Sequence, residues 1–135
     1  MKRIFSNINQ EELLLVINKK EDIDNNRKDL CPDGQFLQIS TKVLSCGTKF
    51  KPHKHLYLER NTNITQEAWI ILSGKIKATF YDLDDSIILE EILTLGDCAV
   101  VFSAGHSFEV LEDNTILYEV KNGPYYGIEK DKIFI

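Results

Sequence analysis

The sequence predicts an all-β fold of jelly-roll or double-stranded barrel type, built as a single domain. Three observations carry that expectation. From Phe36 onward the chain runs as short β-prone stretches separated by turn residues, the texture of sandwiches and barrels. Within one of these stretches Lys75, Lys77 and Thr79 alternate with Ile76, Ala78 and Phe80, so one face is wet and the other buried. The chain has 135 residues, 43% of them hydrophobic, which is enough for one core and too little for two ordinary domains.

Taken in order, Leu13 to Ile17 is an apolar run of ambiguous type. Asn9 followed by Glu12 suits a helix cap, while the Leu-Val-Ile content suits a strand, which is the assignment adopted. Lys19 to Asp33 is charged and ends in Cys31-Pro32-Asp33-Gly34, a turn composition, and reads as a surface loop. Strands are expected at Phe36 to Leu44, Glu67 to Leu72, Lys75 to Tyr81, Ile87 to Leu93, Cys98 to Phe102, Ser107 to Leu111 and Thr115 to Val120. Ser73-Gly74 gives the second of these a tight turn, and Leu83-Asp84-Asp85-Ser86 joins Lys75 to Tyr81 and Ile87 to Leu93 as an antiparallel hairpin. Residues 1–35 are then an N-terminal extension packing on or pairing with a barrel of residues 36–135.

Composition excludes several function classes. A net charge of −5 with scattered lysines leaves no basic footprint, so no nucleic-acid partner is expected. No apolar run approaches a bilayer span, and the N-terminus turns polar at once without a signal-type core. A soluble, cytoplasmic protein with no membrane partner is the expectation. Cys31, Cys46 and Cys98 have no metal-type spacing and read as reduced thiols. No phosphate loop, nucleophile elbow or dinucleotide fingerprint is present.

The most informative stretch is Gly47 to Gly74. His53 and His55 stand at i and i+2, and on an extended segment both point to one face. Glu67 opens the next apolar run, on the same side as Trp69 and Ile71 if that run is a strand. A carboxylate beside two imidazoles makes a set that holds a divalent transition metal and leaves positions open. Lys51 and Lys54 flank the pair and read as solvent-facing charge.

Gly47, five residues, His53-x-His55, then Glu67, six residues, Gly74 resembles the first motif of the cupin superfamily. The family places three or four residues between the second His and the Glu, whereas eleven separate His55 from Glu67. Glu59 has the short spacing but is followed at the Gly position by Gln66. The resemblance therefore favours Glu67 and makes Leu56 to Thr65 an inserted loop. Gly96-Asp97 through Ala104-Gly105 resembles the second motif, with Phe108 where its histidine is expected and His106 two residues earlier. Gly105-His106-Ser107-Phe108-Glu109 and Leu117 to Tyr125 resemble a group of small single-domain cupins found with cell-surface polysaccharide genes and described as WbuC-like metalloproteins.

That resemblance implies a cupin-type double-stranded β-helix and adds His106 as third imidazole to His53, His55 and Glu67. It implies a metal, with iron, zinc, nickel and manganese undistinguished, and a homodimer formed through the N-terminal run adding to a partner's sheet edge. It also implies a small-molecule ligand, a carbohydrate or sugar nucleotide. Trp69 and Phe108 are read as core or pocket lining. Together with Tyr57 and Arg60 on the inserted loop and Glu109 they make up the candidate substrate-binding set. No catalytic residue is assigned. With all three histidines given to metal, general base work falls to Glu109, Glu119 or a tyrosine. A metal-dependent isomerase or oxygenase is the expected enzyme class, and a non-catalytic ligand-binding or regulatory module is the alternative.

Overall fold

A computed structural model describes residues 1–24 and 26–135 of the chain. Among the described residues, ten strands and one short α-helix appear in chain order, with a single 3-10 turn at Lys20–Asp22: β1 (Lys2–Phe5), β2 (Leu13–Asn18), β3 (Lys28–Asp29), β4 (Ser40–Thr41), β5 (Glu67–Ser73), β6 (Lys75–Tyr81), β7 (Ile87–Thr94), β8 (Cys98–Val101), β9 (Gly105–Val110), β10 (Ile116–Lys121) and α1 (Ile128–Asp131). A five-stranded sheet has the order β1-β2-β8-β5-β10, a three-stranded sheet the order β7-β6-β9, and β3-β4 form a two-residue ladder. All pairings are antiparallel. No helix among the described residues is long and apolar enough to cross a membrane.

The two larger sheets share one core. Leu15, Ile17, Trp69, Ile71, Ala99 and Val101 from the five-stranded sheet meet Ile76, Ala78, Phe80 and Leu93 from the other. On the opposite face of the five-stranded sheet, Val16, Ala68, Val100 and Phe102 pack under Leu30, Cys31 and Leu37. Strand β2 is therefore buried on both faces, which is why its sequence is a continuous apolar run and not an alternation. It is an interior strand, paired with β1 on one side and β8 on the other. The free edge of the sheet on this side belongs to β1.

Three further expectations are revised. The predicted strand Phe36 to Leu44 survives only as Ser40–Thr41. Two of its N–H groups go to side chains instead: Leu37 N–H donates to Gln66 Oε1 (2.9 Å) and Ile39 N–H to Cys31 Sγ (3.4 Å). The Lys19 to Asp33 stretch is not all surface loop, because Leu30 and Cys31 belong to the second core. Ser73-Gly74 is not a hairpin turn, since β5 and β6 lie in different sheets. Gly74, at φ +75°, is the corner where the chain crosses between them, and a Cβ there would stand 2.8 Å from Thr115 Cα.

The sheets do not close into a barrel. On one side side-chain contacts stitch them together: Lys2 Nζ lies 2.6 Å and Lys19 Nζ 3.1 Å from Glu91, while Ser6 and the Asn7 N–H bind Asp82. On the other side β10 pairs only with β5 and β9 only with β6. Between these two edges the sandwich is open, and this mouth carries the candidate site.

Candidate functional site

Alternation decides which side chains face the mouth. Glu67, Trp69 and Ile71 share the inner face of β5, as the sequence predicts, and their register partners on β10 are Lys121, Glu119 and Leu117. On β9, His106 and Phe108 stand opposite the buried Phe80 and Ala78 of β6 and so point inward with them. The two sheets thus bring Glu67, Trp69, His106, Phe108, Glu119 and Lys121 into one cluster.

Glu67 is the centre of it, with its side chain only 6% exposed. Trp69 Nε1–H donates to Oε1 (2.6 Å). Lys121 Nζ lies 3.0 Å from Oε2, and His106 Nε2 lies 3.6 Å from the same oxygen. Lys121 also reaches Glu119 Oε1 at 2.9 Å, so one ammonium is held between two carboxylates. His106 Nδ1 faces the Ala104 carbonyl at 3.3 Å. The Trp69 ring is wedged edge-on against His106 (5.2 Å) and Phe108 (5.0 Å) and stacks on Phe80 (6.1 Å), offset and T-shaped arrangements that aromatic quadrupoles favour.

The electrostatics follow. Burial works against a charged Glu67, but the donors from His106, Lys121 and Trp69 outweigh it and hold the carboxyl well below the usual carboxylate range. Partial burial likewise works against the Lys121 ammonium, and its bonds to Glu119 and Glu67 overcome that and raise its pKa.

Beside the cluster lies a cavity of about 360 Å³ whose lining includes Thr65, Glu119, Lys121, Asn122, Tyr125 and Asp131. Its wall is tied together locally. Thr65 Oγ1 donates to Asp131 Oδ1 (2.6 Å), and Asn122 Oδ1 accepts the Gln66 N–H (2.6 Å) while its amide donates to the Ile64 carbonyl (3.2 Å). The chain entering β5 is thereby fastened to the chain leaving β10.

The remaining predicted site residues lie elsewhere. His53 and His55 stand on the exposed segment between β4 and β5, their rings 5.5 Å apart, with His53 Nδ1 3.0 Å from the Lys51 carbonyl. Among the described residues, no hydrogen bond or ion pair joins either to Glu67 or His106. Tyr57 and Arg60 share that exposed segment, as does Glu59, which accepts from Asn61. Glu109 alternates onto the outer face of β9, opposite Lys77, and so away from the cluster. Lys121 is the residue the sequence reading missed. The alternation Leu117, Glu119, Lys121 marks its face, but only the β5–β10 register puts it on Glu67.

Glu67 and His106 have the chemistry of metal donors, yet among the described residues no three His, Cys, Asp or Glu are grouped to hold a metal ion. A cation, Lys121, already sits on the oxygen that Glu67 turns towards His106. As arranged, the residues make a hydrogen-bonded ion cluster and do not fit a metal centre. Comparison with known proteins finds no matching family model, no matching curated protein and no matching solved structure.

Proposed function

We propose that this protein is a small cupin-type β-sandwich that binds a small polar molecule, a carbohydrate or sugar nucleotide of cell-surface polysaccharide metabolism, at the mouth between β9 and β10. The observation that carries it is the meeting of a preorganised ion cluster with an adjoining cavity of about 360 Å³. Its size falls in the range of small-molecule sites. Phe108 and Tyr125 offer partly exposed aromatic faces, and Glu119, Asn122, Asp131 and Thr65 offer hydrogen-bonding groups for hydroxyls. Glu67 holds Trp69 and Lys121 in place and so fixes the wall against which a ligand packs. The role is ligand binding, in the cytoplasm and as a homodimer, for which the unpaired outer edge of β1, away from the mouth, is the available strand.

Thermal shift with a panel of monosaccharides and sugar nucleotides tests it, because a ligand selective for the folded state raises the melting temperature. A hit is expected, with calorimetric affinity weakened in Glu119→Gln and Asp131→Asn. A panel without hits, or hits indifferent to both changes, refutes the site.

A second reading, a metal-dependent isomerase or oxygenase, is favoured by the 3.6 Å contact between Glu67 and His106. It requires His53 and His55 at Glu67. About one equivalent of metal in protein purified without a histidine tag, lost in His53→Ala and in Glu67→Ala, is its expected signature.

A further inference from the structure

We propose that the Lys121 ammonium is the resident cation of this site, held on Glu67 where a metal ion would otherwise bind, and that it sets the threshold for metal uptake. Each carboxylate oxygen of Glu67 is already engaged. Oε1 accepts from Trp69 Nε1 at 2.6 Å, and Oε2 faces both Lys121 Nζ at 3.0 Å and His106 Nε2 at 3.6 Å. A divalent ion bound to Glu67 and His106 has to use Oε2, because that is the oxygen turned towards the imidazole.

Metal–oxygen bonds of roughly 2.0–2.2 Å would leave such an ion in close, repulsive proximity to the ammonium. With the Glu67 side chain 6% and the Lys121 side chain 25% exposed, like charges at that range are only partly screened. The ammonium is not held by Glu67 alone. Glu119 Oε1 clamps it from the other side at 2.9 Å, so the two carboxylates and the lysine form a unit that needs no further cation. With the His106 and Trp69 donors, Lys121 keeps Glu67 charged without any contribution from His53 or His55. The proposal is independent of which small molecule occupies the neighbouring cavity.

The test is a zinc titration of the full chain, without a histidine tag and at fixed pH, in competition with a chromogenic chelator. Wild type is compared with Lys121→Met, Lys121→Gln, Lys121→Arg and the double change Lys121→Met with Glu67→Gln. Far-UV circular dichroism identifies which variants are folded, and Lys121→Gln serves as a second neutral replacement should Lys121→Met fail to fold. Removing the ammonium is expected to tighten zinc binding at least about tenfold, the scale on which groups adjoining a metal ligand act. The gain should vanish when Glu67→Gln is added, and Lys121→Arg, which keeps the charge, should behave as wild type. If the neutral variants bind zinc no more tightly than a wild type that itself takes up one equivalent, the metal-dependent reading stands and the role of Lys121 as competitor is overturned. If neither wild type nor the neutral variants bind zinc through Glu67, both are overturned.

Discussion

Replacing Glu67 by glutamine isolates the charge at the centre of the mouth while keeping its shape. In the native protein the carboxylate accepts from Trp69 Nε1 at 2.6 Å and from Lys121 Nζ at 3.0 Å, with His106 Nε2 at 3.6 Å. An amide retains one acceptor for Trp69 but turns its NH₂ towards the ammonium, so a donor meets a donor. Hydrogen bonds to charged groups are worth about 1.5–3 kcal/mol each. The half-open mouth screens part of that, and Lys121 keeps Glu119 as a partner, so the expected loss at neutral pH is about 2–3 kcal/mol.

The sign with pH is fixed by the direction of the shift. The folded carboxyl titrates below its unfolded value of about 4.3, because the His106, Lys121 and Trp69 contacts outweigh its burial. The stabilisation is therefore complete above that unfolded value and is lost as pH falls through the folded one. Urea unfolding followed by the fluorescence of Trp69, the one tryptophan in the chain, reads both stability and the site itself. Wild type and Glu67→Gln should differ most near pH 7 and converge in acid. A gap below about 0.5 kcal/mol at neutral pH, the size of an ordinary surface substitution, or a gap that does not narrow in acid, refutes the reasoning.

Two further outcomes test the scaffold. Gly74→Ala puts a side chain at φ +75° with its Cβ 2.8 Å from Thr115 Cα. Backbone strain and overpacking together should cost about 2–4 kcal/mol, seen as a clear drop in melting temperature, and an unchanged value would mean the corner between the sheets tolerates a side chain. Burial pushes the Cys98 thiol up to about 12, aided by Cys31 and Asp97, and burial also raises Cys31, whereas Cys46 is exposed. A thiol reagent at pH 8 should modify one cysteine quickly, a phase abolished by Cys46→Ser, and reach the other two only on unfolding. A second fast thiol would contradict the buried placement.

The strands that alternate, or that are short and apolar between turn residues, were legible before folding because a side chain's face is set by its position along the strand. Lys75–Tyr81 appears with its predicted bounds and alternation, and Glu67, Trp69 and Ile71 fall on one face as expected. The pattern at Phe36 to Leu44 misleads because β-prone residues also serve as cover over an outer sheet face, where a side chain such as Gln66 takes up a backbone N–H. The first-motif histidines were legible as a pair, and they do remain neighbours. Their meeting with Glu67 depends on the path of a long segment with no ladder to hold it, which local pattern does not specify.

The sequence by itself determined the all-β character, most strand positions, and the inward orientation of Glu67 with Trp69. These are consequences of local alternation and turn chemistry. Only the tertiary structure decided that the sheets stay open between β9 and β10, that Lys121 rather than a second histidine is paired with Glu67, and that His106 approaches the same oxygen from the opposing sheet. Those contacts arise from strand register and the packing of one sheet on another, distances that join residues as far apart as Glu67 and Lys121 and that no neighbouring residue encodes.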